Sequence, residues 1–195
     1  QRFGVWVDGI FSWVDEAGWE RDLRYAPDTM VTDVRLTSSR LELELRCRDA
    51  VDYFSPVFFR EITVIDLAGR PREVRIFLHH DYSIDGTPVG DTVMFDPATG
   101  GLIHYKDDTF FLFNGRDDAR SGVRHFACGT KRIGGAEGTW RDAEDGHLAG
   151  HAVAQGMVDS TIGFDLRIKA GGAGRITTWI AAGGDVPEVV ALNDK

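Results

Sequence analysis

The sequence has few of the residues that mark small cross-linked, nucleic-acid-binding or membrane-spanning proteins. Its 195 residues include only two cysteines, which lie too far apart for a zinc site. The 31 acidic residues outnumber the 22 basic ones, and the formal charge of −9 argues against nucleic acid or an anionic membrane as a partner. No apolar run approaches the ~20 residues of a membrane-spanning helix. A chain of 195 residues, of which 43% are hydrophobic, is expected to form one domain with a substantial core.

Local motifs for catalysis or metal binding are also missing. The sequence has no phosphate-binding loop, no Gly-X-Ser-X-Gly turn and no cysteine–histidine nucleophile signature. His79 and His80 are adjacent, and neighbouring residues on a strand point to opposite faces, so the two cannot share one metal ion without a bulge. The acidic run at 142–146 does not match a calcium loop and is interpreted as an acidic turn paired with Arg141. We therefore assign no catalytic residue, no cofactor and no metal ligand from the sequence.

Alternation of apolar residues is the strongest pattern that the sequence does contain. Every second residue is apolar in runs such as Phe3-Val5-Val7, Leu41-Leu43-Leu45-Cys47 and Val74-Ile76-Leu78. This period is typical of strands with one face on a core, and it predicts an all-β sandwich or barrel. Cys47 lies in phase with its apolar neighbours, so we expect a buried thiol there. A disulfide between Cys47 and Cys128 is an alternative that no spacing in the sequence supports.

The first hairpin can be predicted residue by residue. The pair Asp8-Gly9 favours a two-residue type I′ turn, because both central residues of that turn need a positive φ angle. The turn sets Trp6 opposite Phe11 and Gly4 opposite Trp13. One face then carries Trp6, Phe11 and Trp13, and the other face carries Phe3, Val5, Val7, Ile10 and Val14. Flat rings on one face can stack on a sugar or seal a domain interface, and plain core packing is the alternative.

The later part of the sequence differs in character. Residues 116–156 are rich in Gly, Asp, Arg and Ala and predict long loops with short strands. Asp185 can cap a helix whose first turn contains Pro187, so a helix is predicted over the last residues. Because the chain begins at Gln1 with a strand, we expect it to be a piece of a longer protein. Its localisation is therefore unknown. The cytoplasm is slightly favoured, and a signal segment that precedes Gln1 is the alternative.

Short segments through nearly the whole chain are together more specific than any single motif. They are 5–9 (VWVDG), 23–29 (LRYAPDT), 77–81 (FLHHD), 90–92 (GDT), 103–106 (IHYK), 138–146 (GTWRDAEDG), 155–156 (QG), 158–160 (VDS) and 179–183 (WIAAG). In this combination and order, the chain resembles the N-terminal β domain of bacterial and archaeal glycoside hydrolase family 15 proteins. That family is the glucoamylase, glucodextranase and trehalase-like group.

The resemblance implies a fold, a partner and a function. The fold would be a supersandwich of two antiparallel sheets over residues 1–184, without the strands that normally precede Phe3. Residues 185–195 would begin a helical linker to an (α/α)6 barrel that this chain lacks. In that family the two catalytic glutamates of an inverting hydrolysis lie in the barrel, so no catalytic residue carries over. The implied function is a non-catalytic accessory domain of an α-glucoside hydrolase, which packs on the barrel, shapes its cleft and is inactive alone.

Two other functions stay open from the sequence. One is a free-standing carbohydrate-binding or interaction module, with an α-glucan or oligosaccharide on the aromatic face. The other is a mutarotase-like sugar epimerase, which needs a histidine acid and a carboxylate base on one concave face, with His80 or His104 as the acid. The candidate sugar or domain-interface contacts are Trp6, Phe11, Trp13, His80, Trp140, Arg141 and Asp142.

A homodimer of the isolated chain is also expected. A sheet that has lost its first strands would expose an unpaired edge. The last helix would expose Val189, Val190 and Leu192 without a barrel to pack against. Together with a hairpin that is apolar on both faces, this would leave more apolar surface than a monomer usually shows.

Overall fold

The computed structural model describes residues 1–87 and 89–195, and strands dominate these ranges. The strands are β1 Arg2–Val7, β2 Ile10–Trp13, β3 Glu20–Tyr25, β4 Thr32–Ser38, β5 Leu43–Val51, β6 Val57–Asp66, β7 Arg72–His80, β8 Asp91–Asp96, β9 Gly101–Lys106, β10 Thr109–Asp117, β11 His125–Thr130, β12 Val153–Gly156, β13 Val158–Ile168 and β14 Ala173–Gly183. One α-helix, α1, spans Val186–Asn193, and short 3-10 turns span Ile84–Gly86 and Asp142–Asp145.

The strands form two antiparallel sheets that pack face to face. The five-stranded sheet has the order β11-β13-β7-β1-β2, and the nine-stranded sheet has the order β12-β8-β9-β10-β14-β6-β5-β4-β3. The predicted all-β class, with two antiparallel sheets and a short C-terminal helix, is therefore confirmed. No helix of the described residues is long and apolar enough to cross a membrane.

The main core lies between the two sheets and is built from the alternating apolar positions. Burial of each large aliphatic side chain contributes roughly 1.5–3 kcal/mol relative to exposure. Side chains of this core that are almost or fully buried include Leu43, Leu45, Ile62, Ile76, Leu78, Leu102, Phe113 and Phe164. Cys47 belongs to the same core, and both Cys47 and Cys128 are buried free thiols, as the sequence predicted for Cys47.

The first hairpin has the predicted turn and register. Asp8 and Gly9 have φ angles of 52° and 80°, as a type I′ turn requires. Trp6 pairs with Phe11, and Gly4 pairs with Trp13. β1 also pairs with β7, so it lies inside the five-stranded sheet and β2 forms its edge.

Helix α1 begins where the sequence predicted. The Asp185 side chain accepts a hydrogen bond from the Glu188 backbone N–H at 2.8 Å, and Pro187 lies in the first turn. The helix packs on β10 and β14, on the face of the nine-stranded sheet that points away from the five-stranded sheet. Val189 is fully buried there, and Val190 and Leu192 are partly buried. The expectation that these side chains are exposed without a further domain is therefore wrong.

Candidate functional site

The predicted aromatic face lies on the outer side of the five-stranded sheet, and the chain itself covers much of it. The Trp13 side chain is 1% exposed, and Phe11 meets it edge to face with ring centroids 4.8 Å apart. Segment 137–148 lies over this face and adds Trp140, whose ring centroid is 6.3 Å from that of Trp13. At Gly146 a Cβ atom would come within 2.6 Å of the Trp6 indole nitrogen, so only glycine allows this approach. Four of the predicted contacts, Trp6, Phe11, Trp13 and Trp140, therefore meet in one small cluster.

The 3-10 turn Asp142–Asp145 holds this cover in place. Arg141 makes ion pairs with Glu137 and Glu144, and the Glu144 Oε1 atom accepts a hydrogen bond from the Trp13 indole N–H at 3.3 Å. The Asp142 carboxylate accepts a hydrogen bond from the Ala149 backbone N–H at 2.6 Å. The interpretation of this run as an acidic turn paired with Arg141 is confirmed. Arg141 and Asp142 thus position the cover over the aromatic face.

His80 lies apart from the other predicted contacts, between the two sheets. It is 1% exposed, and its ring centroid is 4.3 Å from that of Phe113. Burial and the nearby His104 hold the pKa of His80 well below its ordinary value. His104 is also buried; its Nε2 atom is 2.7 Å from the Ser160 hydroxyl, and burial lowers its pKa to about 3. Neither histidine lies on a solvent-exposed concave face, which an epimerase acid would require.

A pocket of about 400 Å³ opens at the edge of the covered face, and we call it the polar pocket. Its floor is formed by β7 and β13, and its rim by the N-terminal residues and by segment 131–140. The lining residues are Gln1, Arg2, His79, Asp81, Lys131, Arg132, Glu137, Trp140 and Asp159.

Asp159 is the central group of the polar pocket. Its Oδ2 atom lies 2.9 Å from His79 Nε2 and accepts a hydrogen bond from the Thr139 backbone N–H at 2.7 Å. Its Oδ1 atom has no hydrogen-bond partner among the described residues, although Asp159 is 1% exposed. This oxygen is fully buried and lies 3.4 Å from the position that a Cβ atom on Gly129 would take.

Lys131 forms the opposite wall of the polar pocket and is 3% exposed. Its ammonium group pairs with the Asp81 carboxylate and donates to the Tyr82 carbonyl oxygen at 3.1 Å. Burial lowers the pKa of Lys131, and the Asp159 carboxylate opposes this shift. No local pattern in the sequence places His79 beside Asp159, because the two residues lie 80 positions apart. The one hint was an acidic residue near the start of the otherwise buried strand β13.

A second concavity, of about 750 Å³, lies on the outer face of the nine-stranded sheet, and we call it the groove. Its lining includes Phe59 of β6 and Trp179 of β14, and the last residues of α1 form one wall. The Trp179 indole N–H donates to the Asn193 side-chain oxygen at 3.0 Å. The loop that joins β5 and β6 places Tyr53 and Phe54 beside the groove, with each side chain 91% exposed. No pattern in the sequence predicts this surface. Among the described residues, no cluster of three or more His, Cys, Asp or Glu residues could hold a metal ion.

Comparison with known proteins relates the chain to others by its fold. No protein-family model and no curated protein matches the sequence. Among solved structures, a bacterial glucoamylase complexed with acarbose superposes on 100% of this chain with a TM-score of 0.75 at 11% identity. A putative kojibiose phosphorylase from the human microbiome superposes on 98% with a TM-score of 0.60 at 8% identity. A polysaccharide lyase superposes on 98% with a TM-score of 0.55 at 10% identity.

These similarities concern the fold alone. At the level of fold, the chain is similar to a β domain of carbohydrate-active enzymes. It spans 28%, 23% and 26% of the lengths of the three chains, which is about a quarter of each.

Proposed function

We propose that this chain is a non-catalytic accessory domain of an α-glucoside hydrolase. The observation that carries the proposal is the superposition of the whole chain on about a quarter of a bacterial glucoamylase, at a TM-score of 0.75. The ordered segments that resemble glycoside hydrolase family 15 point to the same parent activity. In this proposal, the catalytic acid and base lie on an (α/α)6 domain of the same protein.

The groove is the surface that we assign to contact with that catalytic domain. It combines the exposed rings of Tyr53 and Phe54 with the half-buried Trp179, and aromatic residues are enriched where proteins meet. Residues 192–195 line the groove, so any residues after Lys195 begin at its rim. A domain that follows directly in sequence would therefore reach this face with a short connection.

The residues of the two concavities support a non-catalytic role. Inverting glycosidases need two carboxyl groups about 6.5–9.5 Å apart on either side of a sugar, one of them with a raised pKa. The lining carboxyl groups of the polar pocket are mostly held in ion pairs, namely Asp81 with Lys131 and Glu137 with Arg141. In the groove, Asp52 accepts hydrogen bonds from the backbone N–H groups of Phe54 and Ser55.

The test compares the isolated chain with the complete product of the reading frame that contains it. We expect the isolated chain to release no glucose from starch oligosaccharides, isomaltose or trehalose, and the complete protein to hydrolyse at least one of them. Serine substitution of Tyr53 and Phe54 in the complete protein should lower its thermal stability, because it weakens the interface. The exposed Leu23 is a matched control, since it lies on β3 away from the groove. Glucose release by the isolated chain, or a reading frame without a catalytic domain, would overturn the proposal.

A free-standing carbohydrate-binding module is the second candidate. The exposed pair Tyr53 and Phe54, with ring centroids 5.0 Å apart, favours it, because exposed rings beside a concavity can stack on sugar rings. The aromatic face of the first hairpin is less available for that role, since segment 137–148 covers it. Binding of maltooligosaccharides by the isolated chain that is lost with Phe54→Ser would support this candidate.

A further inference from the structure

We propose that the catalytic domain of the complete protein presents an acidic surface to a group of arginines beside the groove. These residues lie on four neighbouring strands and are called the arginine field: Arg35 of β4, Arg46 and Arg48 of β5, Arg116 of β10 and Arg175 of β14. The inference rests on the proposed function and deepens it, because it names the chemistry of the partner surface that the groove meets.

Charge is distributed unevenly over the chain. The arginine field alternates with core side chains such as Leu45 and Ile176, so it lies on the outer face of the nine-stranded sheet. On strands β4, β5, β6, β10 and β14, this face carries five arginines but only three carboxylates, those of Asp33, Glu44 and Glu61. Five positive and three negative charges leave the face at +2, so the rest of a chain that totals −9 carries −11. This face is therefore the one that attracts an acidic partner.

The arginine side chains reach further into solvent than the carboxylates that pair with them. Four of them have side chains that are between 53% and 60% exposed, namely Arg35, Arg46, Arg48 and Arg175. Their carboxylate partners are between 15% and 37% exposed. Arg116 lines the groove, is exposed and makes no ion pair with another described residue. Because a guanidinium group has five N–H donors, each of these arginines can accept a further carboxylate from a partner.

Strand register places the arginine field directly beside the rings of the groove. Phe59 of β6 pairs with Trp179 of β14, and both line the groove. The next row of side chains on the same face ends in Arg48 on β5 and Arg116 on β10. Two residues along a strand correspond to about 7 Å, so the two rows are immediate neighbours. An aromatic centre with arginines at its rim has the composition of a protein–protein interface, which favours a protein over an anionic polysaccharide as the partner.

The second row of arginines contains an unfavourable pair. Arg35 lies directly opposite Arg46 on the neighbouring strand, and like charges in this position destabilise a sheet. A single carboxylate, that of Glu44, pairs with both, at 3.8 and 2.7 Å. Arg175 belongs to the same row, since Arg46 and Arg175 both pair with Thr63. Acidic groups on a partner would relieve this repulsion, so the row stabilises the docked state more than the free one.

The experiment measures how fast chymotrypsin cleaves the loop between β5 and β6, at a protein concentration too low for self-association. Tyr53 and Phe54 are 91% exposed, so the loop should be cut readily in the isolated chain. Cleavage after the exposed Tyr25 on β3 is the internal reference. Relative to this reference, the loop should be cut about tenfold more slowly in the complete protein at low salt. The protection should fall as NaCl rises from about 0.05 M to about 0.5 M, because salt screens exposed charges.

A triple variant and a matched control test the arginine field in the complete protein. Arg48→Gln, Arg116→Gln and Arg175→Gln together should speed cleavage of the loop about fivefold at low salt, and added salt should then change the rate little. Arg167→Gln is the control, since Arg167 is 90% exposed and pairs with Glu73 at 3.8 Å on the other sheet. In the isolated chain, the triple variant should be cut at the parent rate, because exposed ion pairs contribute little to the fold.

Three results would overturn the inference. If the complete protein protects the loop but neither salt nor the triple variant changes the protection, the groove is covered as the proposed function says, but by a surface that is not acidic. If the complete protein does not protect the loop at any salt concentration, the groove is not the contact, and a reading frame without a catalytic domain would end the proposed function as well. If polygalacturonate protects the loop in the isolated chain, the arginine field binds an anionic polysaccharide instead.

Discussion

At the residue scale, Gly9 shows how one residue type determines the register of two strands. Its φ angle is 80°, and no atom lies within 4 Å of the position that a Cβ would take. A side chain at position 9 would therefore strain the backbone without clashing with other atoms. We expect Gly9→Val to lower the free energy of unfolding by roughly 1–3 kcal/mol. Urea denaturation measures this change, and Gly9→Asn should cost clearly less, because asparagine tolerates positive φ. Equal costs for the two variants would contradict the backbone explanation.

Asp66 connects two turns through one buried carboxylate. It accepts hydrogen bonds from the backbone N–H groups of Gly171, Ala68 and Arg70 at 2.8, 3.1 and 3.2 Å, and from the Arg72 guanidinium at 3.4 Å. Burial alone would raise the pKa of Asp66, but these hydrogen bonds outweigh it and hold the pKa below its ordinary value. A lowered folded-state pKa means that Asp66 stabilises the fold above the unfolded-state pKa of about 3.9 and loses that contribution as the pH falls further.

We therefore expect Asp66→Asn to destabilise the protein most near neutral pH, by ~2–3 kcal/mol. The difference from the parent chain should shrink as the pH falls below about 4, because the parent carboxyl group is then protonated too. Urea denaturation at several pH values measures this dependence. Asp33→Asn is the control, since Asp33 pairs with Arg48 at 3.5 Å on an exposed surface. A constant difference across the pH range would mean that the charge of Asp66 is not what stabilises these turns.

The candidate contact residues differ in how well the sequence predicts their positions in the fold. Trp6, Phe11 and Trp13 share a face because the Asp8-Gly9 turn fixes their register, and that follows from local chemistry. The position of Trp140 depends on a loop that folds back over a sheet, and no local pattern encodes such a contact. The approach of His79 to Asp159 is likewise set by the pairing of β7 with β13.

At the scale of elements, strands with alternating apolar residues were predicted well. The β-branched residues between Val57 and Asp66 predict a long strand over this range, and β6 has these bounds. β11 lies within residues 116–156, where short strands were predicted but could not be located, because its outward positions carry small residues under segment 137–148. A Cβ atom on Gly129 would lie 2.6 Å from the Thr139 methyl group, so that position cannot show the usual apolar period. The alternating run predicts a strand from Leu41 to Arg48, but β5 begins at Leu43, because Glu42 has a φ angle of 52° and belongs to the turn.

Helix α1 offers a prediction at the same scale. Asp185→Ala removes the side-chain cap on the Glu188 N–H and should destabilise the helix by ~1 kcal/mol. The Trp179 indole N–H donates to Asn193 at the far end of the helix, so fraying exposes this hydrogen. Its exchange with solvent should become about fivefold faster. Asp185→Ser keeps a capping oxygen and should exchange almost as slowly as the parent chain. If Asp185→Ser exchanges as fast as Asp185→Ala, the cap does not control the helix end.

At the scale of the whole molecule, much of the apolar surface that the sequence suggested is satisfied within the chain. Segment 137–148 covers one face of the first hairpin, and α1 packs its apolar side on the nine-stranded sheet. Two of the grounds for expecting a homodimer are therefore removed. The surfaces that remain include the edge strand β3, which is exposed throughout, and the loop with Tyr53 and Phe54. Charged residues along β3, among them Arg21 and Asp22, disfavour pairing of that edge with another strand.

The isolated chain is still expected to form a two-fold dimer, with the contact through Tyr53 and Phe54. These rings are the ones that we assign to the catalytic domain in the complete protein, so they are free only in isolation. The charge of −9 opposes association, but repulsion between exposed charges is screened beyond ~8–10 Å at ordinary salt, so apolar contact should prevail at close range. Sedimentation velocity should then show more dimer at moderate salt than at low salt. Replacing both Tyr53 and Phe54 by serine should give a monomer, whereas Leu23→Ser on β3 should leave the dimer intact. A strictly monomeric parent chain, unchanged by salt at tens of micromolar, would mean that these rings make too small a contact for association.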